Sequence, residues 1–352
     1  MNMRLPVRKA ILERRTYEAP AEGRADKIRL DFNENTRGCG PAALRALRKL
    51  SPKQIATYPE YQAATGKIAR HFRVRLDEIA LTNGGDDALR VFFDTFVEPR
   101  THILICEPTF PMYRYYAEIA GARVHSLRYG PSMEFPLAAA LAAFRKKPRL
   151  FFLANPNNPT GTLVGKDVIR KLLRAATHTV VVMDEAYAEF SGLSVVPWIR
   201  QYPHLFVART FSKAEGLAGL RLGAVIGRRD SLALVRRALP PYPVNTAALV
   251  AAVAAVEEGT SIANYVDDVK RLRIWFAREL QKRHVRVYPS FANFLVADFG
   301  KNGPAFFQKL ARHGILVRDR SHDLGPGFVR ITIGTEAELK KLLQLFDPSF
   351  RG

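Results

Sequence analysis

Three short apolar runs, at 150–154, 179–183 and 205–208, do most to limit the folds open to this chain. Each is rich in Val, Leu or Phe, each is too short for a stable helix, and each is bounded by turn residues or polar groups. A half-buried strand alternates apolar and polar positions, whereas a strand covered on both faces reads as a continuous apolar run. The runs therefore predict central strands of a parallel sheet with helices packed on either side. The segments before them agree. Residues 66–72 predict a helix, 79–82 a strand, 87–97 a helix opening after Gly84-Gly85, 102–106 a strand, 112–120 a helix and 124–127 a strand. Alternating helices and buried strands imply an α/β fold with a mostly parallel, doubly wound sheet.

The character of the chain changes near Leu239-Pro-Pro-Tyr-Pro. Helical patterns at 247–258 and 262–282 are followed by strands at 285–288, 294–297, 315–318 and 329–333, and by a helix at 336–346. The expected organisation is an irregular N-terminal arm over 1–38, a large domain over 39–239 with a helix near 42–50, and a smaller α+β domain over 240–352.

All three runs end on chemically pointed residues. The first continues into Asn155-Pro-Asn-Asn-Pro-Thr-Gly161, the second into Asp184-Glu-Ala-Tyr187, the third into Arg209-Thr-Phe-Ser-Lys213. Ligands of open parallel sheets sit outside the carboxyl ends of the strands, so Asn158, Asp184 and Lys213 are expected in one crevice. An amine, a carboxylate and an amide suit pyridoxal phosphate (PLP). Lys213 would carry the cofactor as a Schiff base and, once released, shuttle a proton. Asp184 would keep the pyridine nitrogen protonated, so that the ring can accept electrons. Asn158 and the Tyr187 hydroxyl would reach the phenolic oxygen. The phosphate needs its own cradle. Thr82-Asn-Gly-Gly-Asp86 joins a strand to a helix, where unpaired backbone N–H groups and the helix dipole favour an anion. Ser212 and Arg221 flank Lys213 and add a hydroxyl and a guanidinium fork. Phe110 can stack on the ring. Taken singly, each piece is an ordinary turn, helix cap or solvated lysine; their order and complementary roles carry the reading.

Composition removes competing classes. With 47% hydrophobic and 25% charged residues the chain reads as a soluble globular protein. Cys39 and Cys106 are too few for a disulfide framework or a structural zinc site, and no His-Glu-x-x-His spacing occurs, so no metal is expected. The apolar run 247–256 is far short of the roughly 20 residues of a membrane span. The basic N-terminus lacks the apolar core of a secretory signal, so a cytoplasmic location is expected. A net charge of +21 is high, but Lys and Arg are scattered and no nucleic-acid-binding module is present, so nucleic acid is not an expected partner. A positive field does favour doubly negative small substrates.

With these motifs in hand, the chain resembles the fold-type-I PLP-dependent aminotransferases. More narrowly it is similar to the histidinol-phosphate aminotransferase family, through Asn-Glu-Asn at 33–35, Thr-Tyr-Pro-Glu at 57–60, Pro-Tyr-Pro at 241–243, Leu-Val-Arg-Asp at 316–319 and Val-Arg-Ile-Thr-Ile-Gly at 329–334. The resemblance implies that Lys213 bonds the cofactor, Asp184 pairs with its ring nitrogen, and Asn158 and Tyr187 contact its phenolic oxygen. Gly84, Gly85, Asp86, Ser212 and Arg221 would bind its phosphate. Tyr58 would reach the cofactor phosphate of a neighbouring subunit, which implies a homodimer with shared sites. Arg330, assisted by Arg318, would hold the carboxylate of glutamate or the phosphate of histidinol phosphate, and Tyr17 would close over the imidazole. The implied reaction is amino transfer between histidinol phosphate and 2-oxoglutarate. The alternatives are an aromatic amino acid aminotransferase or a PLP decarboxylase acting on phosphothreonine. Glu215, Gly85, Thr36 and Phe110 depart from the family's usual residues without removing a catalytic group.

Overall fold

The computed structural model describes residues 5–12 and 22–346 of the 352. Seven strands form one sheet: β2 (Ile79–Thr82), β3 (His102–Glu107), β4 (Arg123–Arg128), β5 (Leu150–Ala154), β6 (Val180–Asp184), β7 (Leu205–Thr210) and β8 (Gly223–Gly227). They lie in the order β2-β8-β7-β6-β5-β3-β4, and only the pairings of β8 are antiparallel. The fold is α/β with a mostly parallel sheet, as the three apolar runs require.

Those runs are buried, Val180 only partly, because successive side chains enter different cores. Phe151, Leu153, Val181, Met183 and Val207 pack on one face, and Leu150, Phe152, Ala154, Val182 and Phe206 on the other. The second face is covered by the helices Gly84–Phe96, Met112–Ile119 and Arg229–Arg236. Burying a Leu, Val or Phe side chain contributes roughly 1.5–3 kcal/mol, and because both faces are apolar the register is held by the close packing of side chains of different shape in each core.

A second sheet has the order β12 (Arg318–Asp319), β13 (Phe328–Thr332), β10 (Phe294–Asp298) and β9 (Arg286–Tyr288), all antiparallel. The long helix Thr260–Gln281 packs on it through Val266, Val269, Leu272 and Phe276.

The structure departs from the sequence-based expectation at 28–29 and 315–318, and adds the strand β8. The segment expected to be an irregular arm contains β1 (Ile28–Arg29), which pairs in parallel with β11 (Ile315–Leu316). The single strand expected at 315–318 is two: β11 serves β1 and β12 serves β13, so the chain changes partner at Val317. The helix Thr246–Glu258 buries Ala248, Leu249, Ala251, Ala252 and Ala255 in the core of the seven-stranded sheet, while Thr260–Gln281 belongs to the other core. The two helices meet at a bend of 74° around Gly259.

Candidate active site

The carboxyl ends of β5, β6 and β7 open into one cavity of about 450 Å³ whose wall carries Asn158, Asp184, Tyr187 and Lys213. The same wall holds Gly85, Asp86, Phe110, Ser212 and Arg221, and across the cavity Arg318 and Arg330 from the second sheet. The sequence expectation that three strand tips converge is therefore met by the geometry. Two expected residues stand apart from the wall. Gly84 lies behind Arg221, and Tyr58 is 78% exposed and stacks on Tyr242 with ring centroids 4.4 Å apart. Tyr17 falls outside the described residues.

Lys213 Nζ donates to the Phe32 carbonyl at 2.9 Å and lies 5.9 Å from the centre of the Tyr187 ring. Burial penalises its ammonium form and the Arg330 guanidinium repels it, so its pKa falls to about 8. An amine in that range keeps an appreciable neutral fraction near physiological pH, which can act as a nucleophile or base. Asp184 shows the opposite displacement: burial raises its pKa, opposed by hydrogen bonds from the Tyr113 hydroxyl to Oδ2 at 2.6 Å and from the Ala186 N–H to Oδ1 at 3.1 Å.

Tyr187 is buried, and its hydroxyl accepts from Asn33 Nδ2 at 2.9 Å, which leaves its own proton to donate. Asn33 is in turn fixed by Thr332 Oγ1, which accepts from its backbone N–H at 3.0 Å, and by Asn293 Nδ2, which donates to its carbonyl at 3.0 Å. Asn158 accepts at Oδ1 from Arg330 Nη1 at 2.5 Å, so its amide nitrogen is the group left to donate.

At the other end of the cavity the helix Gly84–Phe96 begins. Its first-turn N–H groups have no partner within the helix, and its dipole is positive there. Arg221 closes this end, its Nη2 3.2 Å from Asp86 Oδ2. Gly84 has φ +82°, and a Cβ there would stand 2.6 Å from Arg221 Nη2. Gly223 is required for a related reason: a Cβ would meet the Gly84 carbonyl at 2.5 Å. Ser212 Oγ accepts from Thr210 Oγ1 at 3.0 Å, so both hydroxyls face the same end. The Asp86 carboxylate would repel an anion; its backbone N–H is the part that suits one.

Sequence reasoning missed four residues of this site. Thr210 belongs to the segment that ends on Lys213, Phe32 directly precedes the Asn-Glu-Asn motif and Asn33 opens it, so each left a signal. Tyr113 left none, because within its helix it reads as one more apolar position. Behind the wall lies a further cluster. Arg209 Nη1 donates to Glu185 Oε2 at 2.8 Å and Nη2 donates to Glu189, while Glu215, 3% exposed, keeps Oε2 without a hydrogen bond.

The family model described as aminotransferase class I and II matches residues 25–346. The histidinol-phosphate aminotransferase of Geobacillus sp. (strain WCH70) is 35% identical over 328 residues, covering 91% of this chain and 89% of that protein. The crystal structure of the histidinol-phosphate aminotransferase from Clostridium acetobutylicum superposes with a TM-score of 0.83 at 25% identity, covering 90% of this chain and 97% of that one. The fold is also that of histidinol-phosphate aminotransferase from Sinorhizobium meliloti in complex with pyridoxal-5'-phosphate, with a TM-score of 0.88 at 24% identity over 98% of this chain and 97% of that one.

Proposed function

We propose that this chain, which belongs to the class I and II aminotransferases, a PLP-dependent family, is a histidinol-phosphate:2-oxoglutarate aminotransferase whose cofactor is bound at Lys213. One observation carries the reading: the cavity that gathers Lys213, Asp184, Asn158 and Tyr187 is faced by the paired arginines Arg318 and Arg330.

The residues present fit PLP. A low-pKa amine, a carboxylate, two donors for a phenolic oxygen and a helix N-terminus beside a guanidinium are the set the cofactor requires. The close approach of Arg221 to Gly84 is the kind of cradle a phosphate needs, since a side chain at that glycine would displace the guanidinium.

When bound, the cofactor supplies the electron sink for a bond broken at the substrate Cα. The chain's own residues do the rest. Lys213 would hold the cofactor through its amine, and the same amine would carry a proton to and from that carbon. Asp184 holds a proton at the ring nitrogen. Asn158 Nδ2 and the Tyr187 hydroxyl donate to the phenolic oxygen. Phe110 covers the ring, while Ser212, Gly85, the Asp86 N–H and Arg221 hold the phosphate. Arg318 and Arg330 orient the substrate. A planar guanidinium accepts a carboxylate or a phosphate because both present paired oxygens, so one site can serve glutamate and histidinol phosphate in turn.

We further propose a homodimer in which Tyr58 completes the neighbour's phosphate site. Tyr58, Ile55 and Tyr242 form an exposed apolar patch on this chain, which a second copy would cover. The reading carries with it a cytoplasmic enzyme of small molecules.

The purified protein should be coloured, and glutamate should shift its visible band. Steady-state rates should favour histidinol phosphate over phenylalanine. A preference for phenylalanine, or release of carbon dioxide from phosphothreonine without a keto acceptor, would transfer the assignment to one of the related chemistries.

A further inference from the structure

We propose that Tyr113 is a positioning residue that holds the Asp184 carboxylate ionised and fixed, and thereby sets the protonation of the cofactor's ring nitrogen. The inference rests on the cofactor role proposed for Asp184.

The geometry leaves the Tyr113 hydroxyl one task. The residue is fully buried, its ring is stacked on Phe152 with centroids 5.0 Å apart and an interplanar angle of 15°, and it meets Phe110 edge-on at 5.9 Å. Packing of this kind fixes both torsions of the side chain and aims the hydroxyl at Asp184 Oδ2, 2.6 Å away. A buried hydroxyl without an acceptor is costly, so this bond is strongly favoured.

Asp184 needs the bond. A carboxylate deep in a protein tends to take up a proton, and here burial is the largest influence on it. Against that stand the Tyr113 hydroxyl first, then the Ala186 N–H, with the Lys213 ammonium helping least. Tyr113 itself is pushed well above its ordinary pKa by burial, so it stays a neutral donor throughout the working range.

The consequence concerns one proton shared between a carboxylate and a ring nitrogen. A donor on one carboxylate oxygen favours carboxylate and pyridinium; without it the proton would move toward the carboxyl and the ring would be a poorer electron sink. Phe110 and Tyr113 are then two functions of one helix start, the first covering the ring and the second steering the acid beneath it.

The experiment compares wild-type holoenzyme with Tyr113→Phe, each loaded with PLP labelled with 15N at the ring. The wild-type resonance should fall in the pyridinium range, and that of Tyr113→Phe should move toward the neutral range. Its kcat should drop about tenfold or more, the usual effect of losing a hydrogen bond to a charged group, with KM for glutamate within about twofold. Asp184→Asn removes the acid itself, so adding Tyr113→Phe to it should cost little more; two residues acting through one bond are not additive. An unchanged nitrogen resonance in Tyr113→Phe, or full additivity with Asp184→Asn, would overturn the inference while leaving the aminotransferase reading intact. A wild-type protein that takes up no PLP would overturn both.

Discussion

Arg318 and Arg330 stand directly opposite each other in the antiparallel pairing of β12 with β13, so two guanidiniums share one end of the cavity. Like charges in that position destabilise a sheet. Arg330 is met by neutral acceptors, Asn158 Oδ1 and the Asp31 carbonyl, each at 2.5 Å, and its Nε has no hydrogen bond. Burial, together with the Arg320 and Arg318 charges, lowers its pKa to about 10. A pair of this kind is tolerated where an anion is to be bound.

Removing one member should therefore act in opposite directions on stability and on binding. Arg318→Gln should raise the stability of the ligand-free protein by roughly 0.2–1 kcal/mol, the scale of a relieved cross-strand repulsion. The same variant should raise KM for histidinol phosphate by about tenfold or more, because a charge-assisted contact is lost. Thermal unfolding without substrate and steady-state kinetics measure the two. Lower stability together with unchanged KM would show that Arg318 serves only as a surface cation.

The Lys213 pKa of about 8 predicts how the ligand-free protein takes up its cofactor. The neutral amine is the nucleophile, so the rate of PLP capture should rise with pH through a midpoint near 8 and not near the ordinary lysine value. Burial is the first cause of the shift and Arg330 the second, so Arg330→Gln should move the midpoint up by part of the difference. The displaced pKa also costs stability. Below about 8 both folded and unfolded lysine are protonated, and the folded state bears the penalty of a buried ammonium; that penalty disappears as pH rises from about 8 to the ordinary lysine pKa, so unfolding free energy should climb across this window. Stopped-flow absorbance and chemical denaturation at several pH values read the two effects.

What was legible in the sequence follows from how each feature is encoded. β5, β6 and β7 announce themselves because burial on both faces demands an unbroken apolar run, and their tips carry the chemistry at fixed places. β8, in Gly223-Ala-Val-Ile-Gly227, was not read as a strand, since its flanking glycines look like a loop; close backbone approach to Gly84 is what demands the first of them. The helix Thr246–Glu258 is legible from its apolar pattern, but the core it joins is not, because an alanine-rich face fits closely against either. Tyr113 was invisible because a buried hydroxyl is specified by its acceptor, and Asp184 is brought to it by the fold rather than by the chain.

Glu215, which departs from the family's usual apolar residue, carries a prediction about pH. Burial raises its pKa first and the neighbouring Glu189 charge adds to this, while Arg209 opposes them. A carboxyl raised in this way stays protonated in the folded state after the unfolded one has ionised. Its penalty is absent below the ordinary glutamate pKa of about 4.3 and grows as pH rises from there toward the raised folded value. Glu215→Gln keeps the shape and removes the titration. It should leave Tm nearly unchanged at pH 4 and raise it, relative to wild type, increasingly toward pH 8. A constant difference across that range would mean that the Glu215 proton is not linked to folding.

The place of Tyr58 predicts that two defective chains can repair one another. It is exposed and lies outside the cavity of its own chain, whereas Lys213 lies within it. Lys213→Ala should fold and lose turnover by about a thousandfold or more, since the proton carrier is gone. Tyr58→Ala should weaken cofactor retention, so that at limiting PLP it too is nearly inactive. If the site is shared, a dimer of the two variants has one cavity with both defects and one with none. Random exchange of subunits makes about half of the dimers mixed, so activity should recover to about a quarter of the wild-type value. Each cavity served entirely by its own chain would give only the average of the two parents, and that result would remove both the shared site and the role of Tyr58.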